Sequence, residues 1–214
     1  MDFTEAEYLE LLEQAYPKKT TLKAVTLAVV DGYRSTPSAV KKAMDIPDRH
    51  DAFGVIRRGK INEQLRGVCD RHSLDYRDES NSNGSTRFLS MFSGRVRLAA
   101  HLVGSPRCMV RPANIRLLWA RHNRDGRWRT LFPKNEVPVP PEAKFVAFII
   151  HGPRPGHRDQ PAFVDLVIPD RDFKKYICHL DLFKLFPQIA MSVVSEDVQR
   201  KQPKPRRRRE TGSA

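Results

Sequence analysis

Between Ala113 and Phe132 the chain reads ANIRLLWARHNRDGRWRTLF, and five arginines, Arg116, Arg121, Arg124, Arg127 and Arg129, stand around a single acid, Asp125. A guanidinium group stays charged at any physiological pH and offers a planar fork of N–H donors that grips phosphate oxygens two at a time. Such a cluster is chemistry for binding a polyanion.

Asp125-Gly126 between two β-prone runs predicts a tight hairpin turn, because both central positions of a type I′ turn need positive φ. In that register Arg124 faces Arg127 and His122 faces Arg129. Alternation puts Ile115, Leu117, Trp119, Arg121, Asn123, Trp128, Thr130 and Phe132 on a core face. Arg116, Leu118, Ala120, His122, Arg124, Arg127, Arg129 and Leu131 take the other face, basic toward the turn. Parity thus assigns both tryptophans to packing and not to base stacking.

The charge distribution supports the binding chemistry. The 214-residue chain carries a formal net charge of +13. Residues 1–50 hold 7 basic and 8 acidic side chains, 51–79 hold 6 and 6, and 135–200 hold 8 and 9. Residues 80–134 hold 11 basic and 1 acidic, and 201–214 hold 6 and 1, so nearly all the excess lies in one central segment and the tail. A concentrated positive field points to nucleic acid as the partner, with DNA the expected form. Arg87, Arg95, Arg97, Arg116, His122, Arg124, Arg127, Arg129 and the tail residues Arg206, Arg207, Arg208 and Arg209 are the candidate phosphate contacts.

The elements that must carry these residues follow from periodicity. Residues 4–15, TEAEYLELLEQA, predict an acidic amphipathic helix with a capping box at Thr4 and Glu7, better suited to a protein partner than to a phosphate backbone. Residues 21–33 predict a helix stopping near Gly32, STPSAVKKAM starts another at Pro37, and a last helix is expected at 60–72 after a break near Gly59. Two short strands then flank the polar loop ESNSNGST. Helices followed by a hairpin over residues 21–92 resemble a winged helix-turn-helix in order. Beyond Gly94, GRVRLAAHLV fits a strand or short helix, and NIRLLWARHN, RWRTLF, AKFVAFIIH and AFVDLVI read as strands. HGPRPGHRDQP reads as a proline-rich loop, with His151 and His157 lacking partners for a metal site. PDRDFKKYICHLDLFKLF favours a helix capped by Asp170, and QIAMSVVSEDVQR a closing helix.

IRLLWARHNRDGRWRTLF, KFVAFII and AFVDLVIPDRDF together resemble the core of PD-(D/E)XK restriction-endonuclease-like domains over about 60 residues. The resemblance implies a metal-dependent nuclease in which one strand carries an acid-x-lysine motif. Leu117-Leu118-Trp119 stands where that motif would fall, so the catalytic pattern is degenerate, and only the displaced set Asp125, Glu142 and Lys144 could replace it. A further acid-x-lysine, Asp172-Phe173-Lys174, meets the same loose criterion.

The expected fold is α+β: a helical, winged-helix-like region with a wing-like hairpin over 1–93, a mixed or antiparallel sheet domain over 94–200, and a disordered basic tail over 201–214. No apolar run reaches the roughly 18 residues of a membrane span, and the acidic N-terminus is unlike a secretory signal. A cytoplasmic, nucleic-acid-associated protein with no membrane contact is expected. Cys69, Cys108 and Cys178 are too scattered for a zinc or disulfide framework. No cofactor is expected, apart from Mg²⁺ in the nuclease alternative. A protein-interaction module with an acidic partner is the third possibility.

Overall fold

The computed structural model describes residues 19–43, 45, 49–80, 87–93, 96–120, 123 and 145–193. Their architecture is α+β: two long helices followed by a six-stranded mixed sheet. Helix α1 spans Lys19–Ala43 and α2 spans Arg49–His72. The strands are β1 (Asp75–Ser80), β2 (Arg87–Ser93), β3 (Val96–Leu102), β4 (Phe145–Arg154), β5 (His157–Pro169) and β6 (Tyr176–Asp181). Helix α3 is Asn114–Ala120 and α4 is Leu182–Leu185; residues 187–193 are also helical. The expected helix at 4–15 and the basic tail lie outside the described residues.

Two of the helix boundaries expected from sequence are absent. Leu22, Val25, Val29, Tyr33, Thr36 and Val40 recur every three or four residues and are all buried, which keeps α1 helical through Pro37. Pro37 removes one backbone donor, and the Thr36 hydroxyl donates to the Gly32 carbonyl at 2.6 Å while the Ser35 hydroxyl donates to Asp31 O at 2.9 Å. In α2, Ile61, Leu65, Val68 and Cys69 pack inward and carry the helix past Gly59. Burial thus outweighs the local cost of glycine, about 1 kcal/mol.

Gly32 is the close-approach point of these helices, not a stop signal. A Cβ there would sit 2.5 Å from Ile61 Cγ1 and 2.8 Å from Ile61 Cα, so backbone as well as side chain would have to move. Gly32→Ala is expected to destabilise the fold by about 1–3 kcal/mol through overpacking. Urea denaturation would show this as a lower midpoint at unchanged slope; an unchanged midpoint would refute the tight crossing.

The strand order is β1-β2-β3-β4-β5-β6, antiparallel throughout except for the parallel β3–β4 pair. The expected hairpin around ESNSNGST is β1–β2. The boundary expected at 93/94 passes between two neighbouring strands of this one sheet, and α1, α2 and strands from both sides of it share a core. Leu98, Ile149 and Leu166 face α1, α2 and the 182–193 segment. Ala99, Phe148 and Val167 face the other way, under Val103, Val110, Trp119 and Ala120. Burial on both faces explains why residues 145–150 of β4 are an unbroken apolar run. The edge strand β1 is almost wholly exposed and carries charges that blunt further strand pairing.

Two strand assignments change. Tyr176–Asp181, read from sequence as helical, is strand β6, and Asp181 caps the short α4 by accepting from the amides of Phe183 and Lys184. Asp170 caps a turn instead of a helix: its Oδ1 accepts from Lys174 N at 2.7 Å, and Phe173 within that turn takes φ 58° and packs on Phe148. The proline-rich HGPRPGHRDQP is the tip of the β4–β5 hairpin, with the ladder shifting register around Pro153 and Gly156 turning at φ 76°.

The largest correction concerns NIRLLWA. It is helix α3, not the first strand of a hairpin. Parallel strands cannot be joined by a tight turn and need a crossover. The 103–144 segment is that crossover between β3 and β4, and α3 lies within it. Leu117 is partly buried and Trp119 and Ala120 are buried, a combination a helix can place against the sheet but an alternating strand cannot. Asn123 follows as an anchor. Its side-chain amide donates to Val146 O and Pro169 O, both at 2.9 Å, and its Oδ1 accepts from Val146 N at 2.8 Å.

Candidate anion-binding cleft

Helix α2, the C-terminal ends of β3 and β4, and the 110–116 segment converge on a cleft of about 530 Å³. Four arginines line it: Arg57 and Arg58 from α2, Arg111 from the crossover, and Arg116 from α3. His101 and His151 complete its polar lining together with Asn62. Among the described residues no carboxylate lines the cleft and none of the four arginines is ion-paired.

Each group is held by identifiable contacts. The Arg57 guanidinium lies 4.5 Å over the Tyr33 ring centroid and donates to the Arg158 carbonyl at 2.9 Å. The Tyr33 hydroxyl and His151 Nδ1 are hydrogen-bonded at 3.0 Å within the core. His101 stacks edge-on against Phe148, with ring centroids 4.9 Å apart. Arg116 donates to the Arg111 carbonyl, which ties the two crossover arginines together. Arg58 and Arg111 are exposed.

Burial decides the charge states. It pushes His151 down to about 3, with Arg57 and Arg58 adding to the effect. It pushes His101 well below the usual histidine value, helped by Arg116, His151 and Arg58. Both imidazoles are therefore neutral at pH 7. The same burial raises the Tyr33 phenol, which stays protonated. Arg57 and Arg116 are pulled down from the usual arginine value, chiefly by burial, and Arg58 adds to the shift at Arg116. An arginine nonetheless remains charged in a protein. The cleft is thus a concentration of cations whose mutual repulsion an anion would relieve.

Hydrogen-bonding capacity is also left over. The Nε atoms of Arg57 and Arg116 and the Nε2 atom of His101 are buried and without hydrogen-bond partners among the described residues. Buried polar atoms are ordinarily paired, so three such atoms on residues lining one cleft are informative.

The residues singled out from sequence are distributed unevenly. Arg116 enters the cleft, although from a helix. Arg87 is exposed at the start of β2, beside the lining residue Phe88. Arg97 is engaged elsewhere: its guanidinium lies 4.2 Å over Trp119 and 5.0 Å over Phe92, and it pairs with Glu79 at 3.2 Å. Trp119 is buried, in agreement with its assignment to the core. Arg95, His122, Arg124, Arg127, Arg129 and Arg206–Arg209 lie outside the described residues, as do Asp125, Glu142 and Lys144. The IRLLWA stretch, likened to a nuclease strand, is helical. No cluster of three metal-ligating side chains occurs among the described residues.

Arg57, Arg58, Arg111, His101 and His151 are not among the candidate phosphate contacts expected from sequence. One signal was present: AAHL and FIIH each place a histidine at the end of an apolar strand, where a satisfied core residue would more often be aliphatic. The chain matches no family model, no curated protein and no solved structure. No helix among the described residues is long and apolar enough to cross a membrane.

Proposed function

We propose that this protein binds nucleic acid, with DNA the first candidate, by contacting phosphates, and that binding is its role without a chemical step. The observation that supports this most is the cleft itself: four arginines, no carboxylate among the described lining residues, and unpaired buried guanidinium nitrogens. The +10 segment at 80–134, which contributes Arg111 and Arg116, supplies the longer-range field. That field draws a polyanion in, and the cleft arginines then hold phosphate oxygens by charge-assisted hydrogen bonds. Neutral His101 and His151 add hydrogen-bonding nitrogens without adding charge. Phosphate contacts position a nucleic acid and carry no base information, so affinity exceeds sequence preference.

Arg58 and Arg111 are exposed, so their substitution leaves the core intact. The double variant Arg58→Gln/Arg111→Gln is expected to bind DNA at least tenfold more weakly than wild type at about 0.1 M salt, with unchanged thermal stability. Fluorescence anisotropy on duplex DNA, single-stranded DNA and RNA, with and without Mg²⁺ and with a gel check for cleavage, measures this. Equal binding by variant and wild type would remove the cleft from the binding surface.

A further inference from the structure

We propose that the cleft receives the terminal phosphate of a nucleic-acid strand, a phosphomonoester, in preference to the internal phosphodiesters along a duplex. This rests on the reading that the protein binds nucleic acid, and it narrows that reading to an end.

Shape is the first argument. A volume of about 530 Å³ is the size of a small-ligand site, for which about 300–1,000 Å³ is typical. A duplex displays its phosphates on a convex surface with a major groove about 12 Å wide, which suits a flat or ridged basic face. A recess bounded by α2, two strand ends and the 110–116 segment suits a group that can enter end-on.

Valence is the second. An internal diester has one charge and two free oxygens. A monoester carries a charge of about −1.5 to −2 at pH 7 and three acceptor oxygens. Four lining cations, with no carboxylate among the described lining residues, favour the more highly charged group. The unpaired Nε–H groups of Arg57 and Arg116 favour the group with more acceptors.

Place in the fold is the third. His101 and Leu102 end β3, and His151 pairs with Leu102 near the end of β4, so the cleft opens at the carboxyl ends of the parallel pair. In open sheets containing parallel strands, that end is where ligands settle. The histidine ring supplying the unpaired nitrogen is itself only 9% exposed, which makes it a floor and not a surface contact.

The test uses the full chain and single-stranded DNA of one sequence in three forms: 5′-phosphorylated, 3′-phosphorylated and unphosphorylated. Either phosphorylated form is expected to bind at least tenfold more tightly than the unphosphorylated strand. Arg58→Gln/Arg111→Gln should abolish that advantage. A nucleoside monophosphate and inorganic phosphate should compete at least tenfold more weakly than the phosphorylated strand. Equal binding of all three strands overturns the end assignment and leaves nucleic-acid binding standing. Equal competition by the mononucleotide also overturns it, because the monoester alone would then be the ligand. Binding of none of them overturns both readings.

Discussion

Lowering the pH from 7 to 5 is expected to remove about 4 kcal/mol of folding stability through His101 and His151 together. The two rings are neutral in the fold because burial depresses them, His151 to about 3. In the unfolded chain an ordinary histidine takes up a proton near pH 6.5. The unfolded state therefore binds more protons below that pH, and stability falls as pH drops from about 6.5 toward the folded values. Each histidine contributes about 1.4 kcal/mol per pH unit in that window. The groups facing them sharpen the effect. His151 lies near Arg57 and Arg58, and His101 near Arg116, Arg58 and His151, all unfavourable to a second positive charge. Asp165 acts in the opposite sense, because burial raises it. Urea denaturation at pH 7.5, 6 and 5 measures the slope. The double variant His101→Gln/His151→Gln should flatten it, and a wild-type stability constant down to pH 5 would contradict the neutral-histidine account.

Asn123→Ala is expected to cost at least about 3 kcal/mol, from three buried backbone groups losing partners at no less than about 1 kcal/mol each. Asn123 is fully buried, and its amide serves Val146 N, Val146 O and Pro169 O at once. It stands in for a missing ladder partner at the start of β4 and the end of β5. Its removal should loosen the anchor of the crossover as well as the global fold. Amide exchange would show this as lost protection at Val146, and denaturation as a lower midpoint. A loss below about 1 kcal/mol would mean that water replaces the amide without penalty.

The sheet was largely legible because its strands are short apolar runs bounded by turn residues. RFLSMF, VAFIIH and FVDLVI announce themselves by burial, and ESNSNGST announces the first hairpin. The α3 segment was not legible. Ala113, Leu117 and Ala120 fit a helical period, while Ile115, Leu117 and Trp119 fit a strand period, and a seven-residue run does not separate the two. The parallel β3–β4 pairing decides between them, and that pairing is a property of topology. Pro37 and Gly59 misled for a related reason. Local propensity marks them as breaks, and the packing of Tyr33, Thr36, Ile61 and Leu65 overrides it.

The cleft was hidden more deeply. Arg57 and Arg58 belong to a segment, 51–79, with zero net charge. Their acidic neighbours are engaged elsewhere: Glu63 with Lys60, and Asp78 with Arg66. Arg57 and Arg58 belong to neither pair and line the cleft. Regional charge counts average over such pairings and cannot reveal them. The basic hairpin inferred from the arginines around Asp125 and the cleft now seen at Arg111 and Arg116 share one crossover segment. The first part of that connection, read from sequence as a strand, is helix α3.

The most direct test of phosphate binding at this cleft is the slope of log Kd against log salt concentration for single-stranded DNA, compared between wild type and Arg58→Gln/Arg111→Gln. Each lost phosphate contact lowers that slope by about 0.7 on a single strand. A wild-type affinity that falls steeply with salt, and a variant slope shallower by about 1.4, is the result predicted. Superimposable slopes, or wild-type binding indifferent to salt, would contradict it.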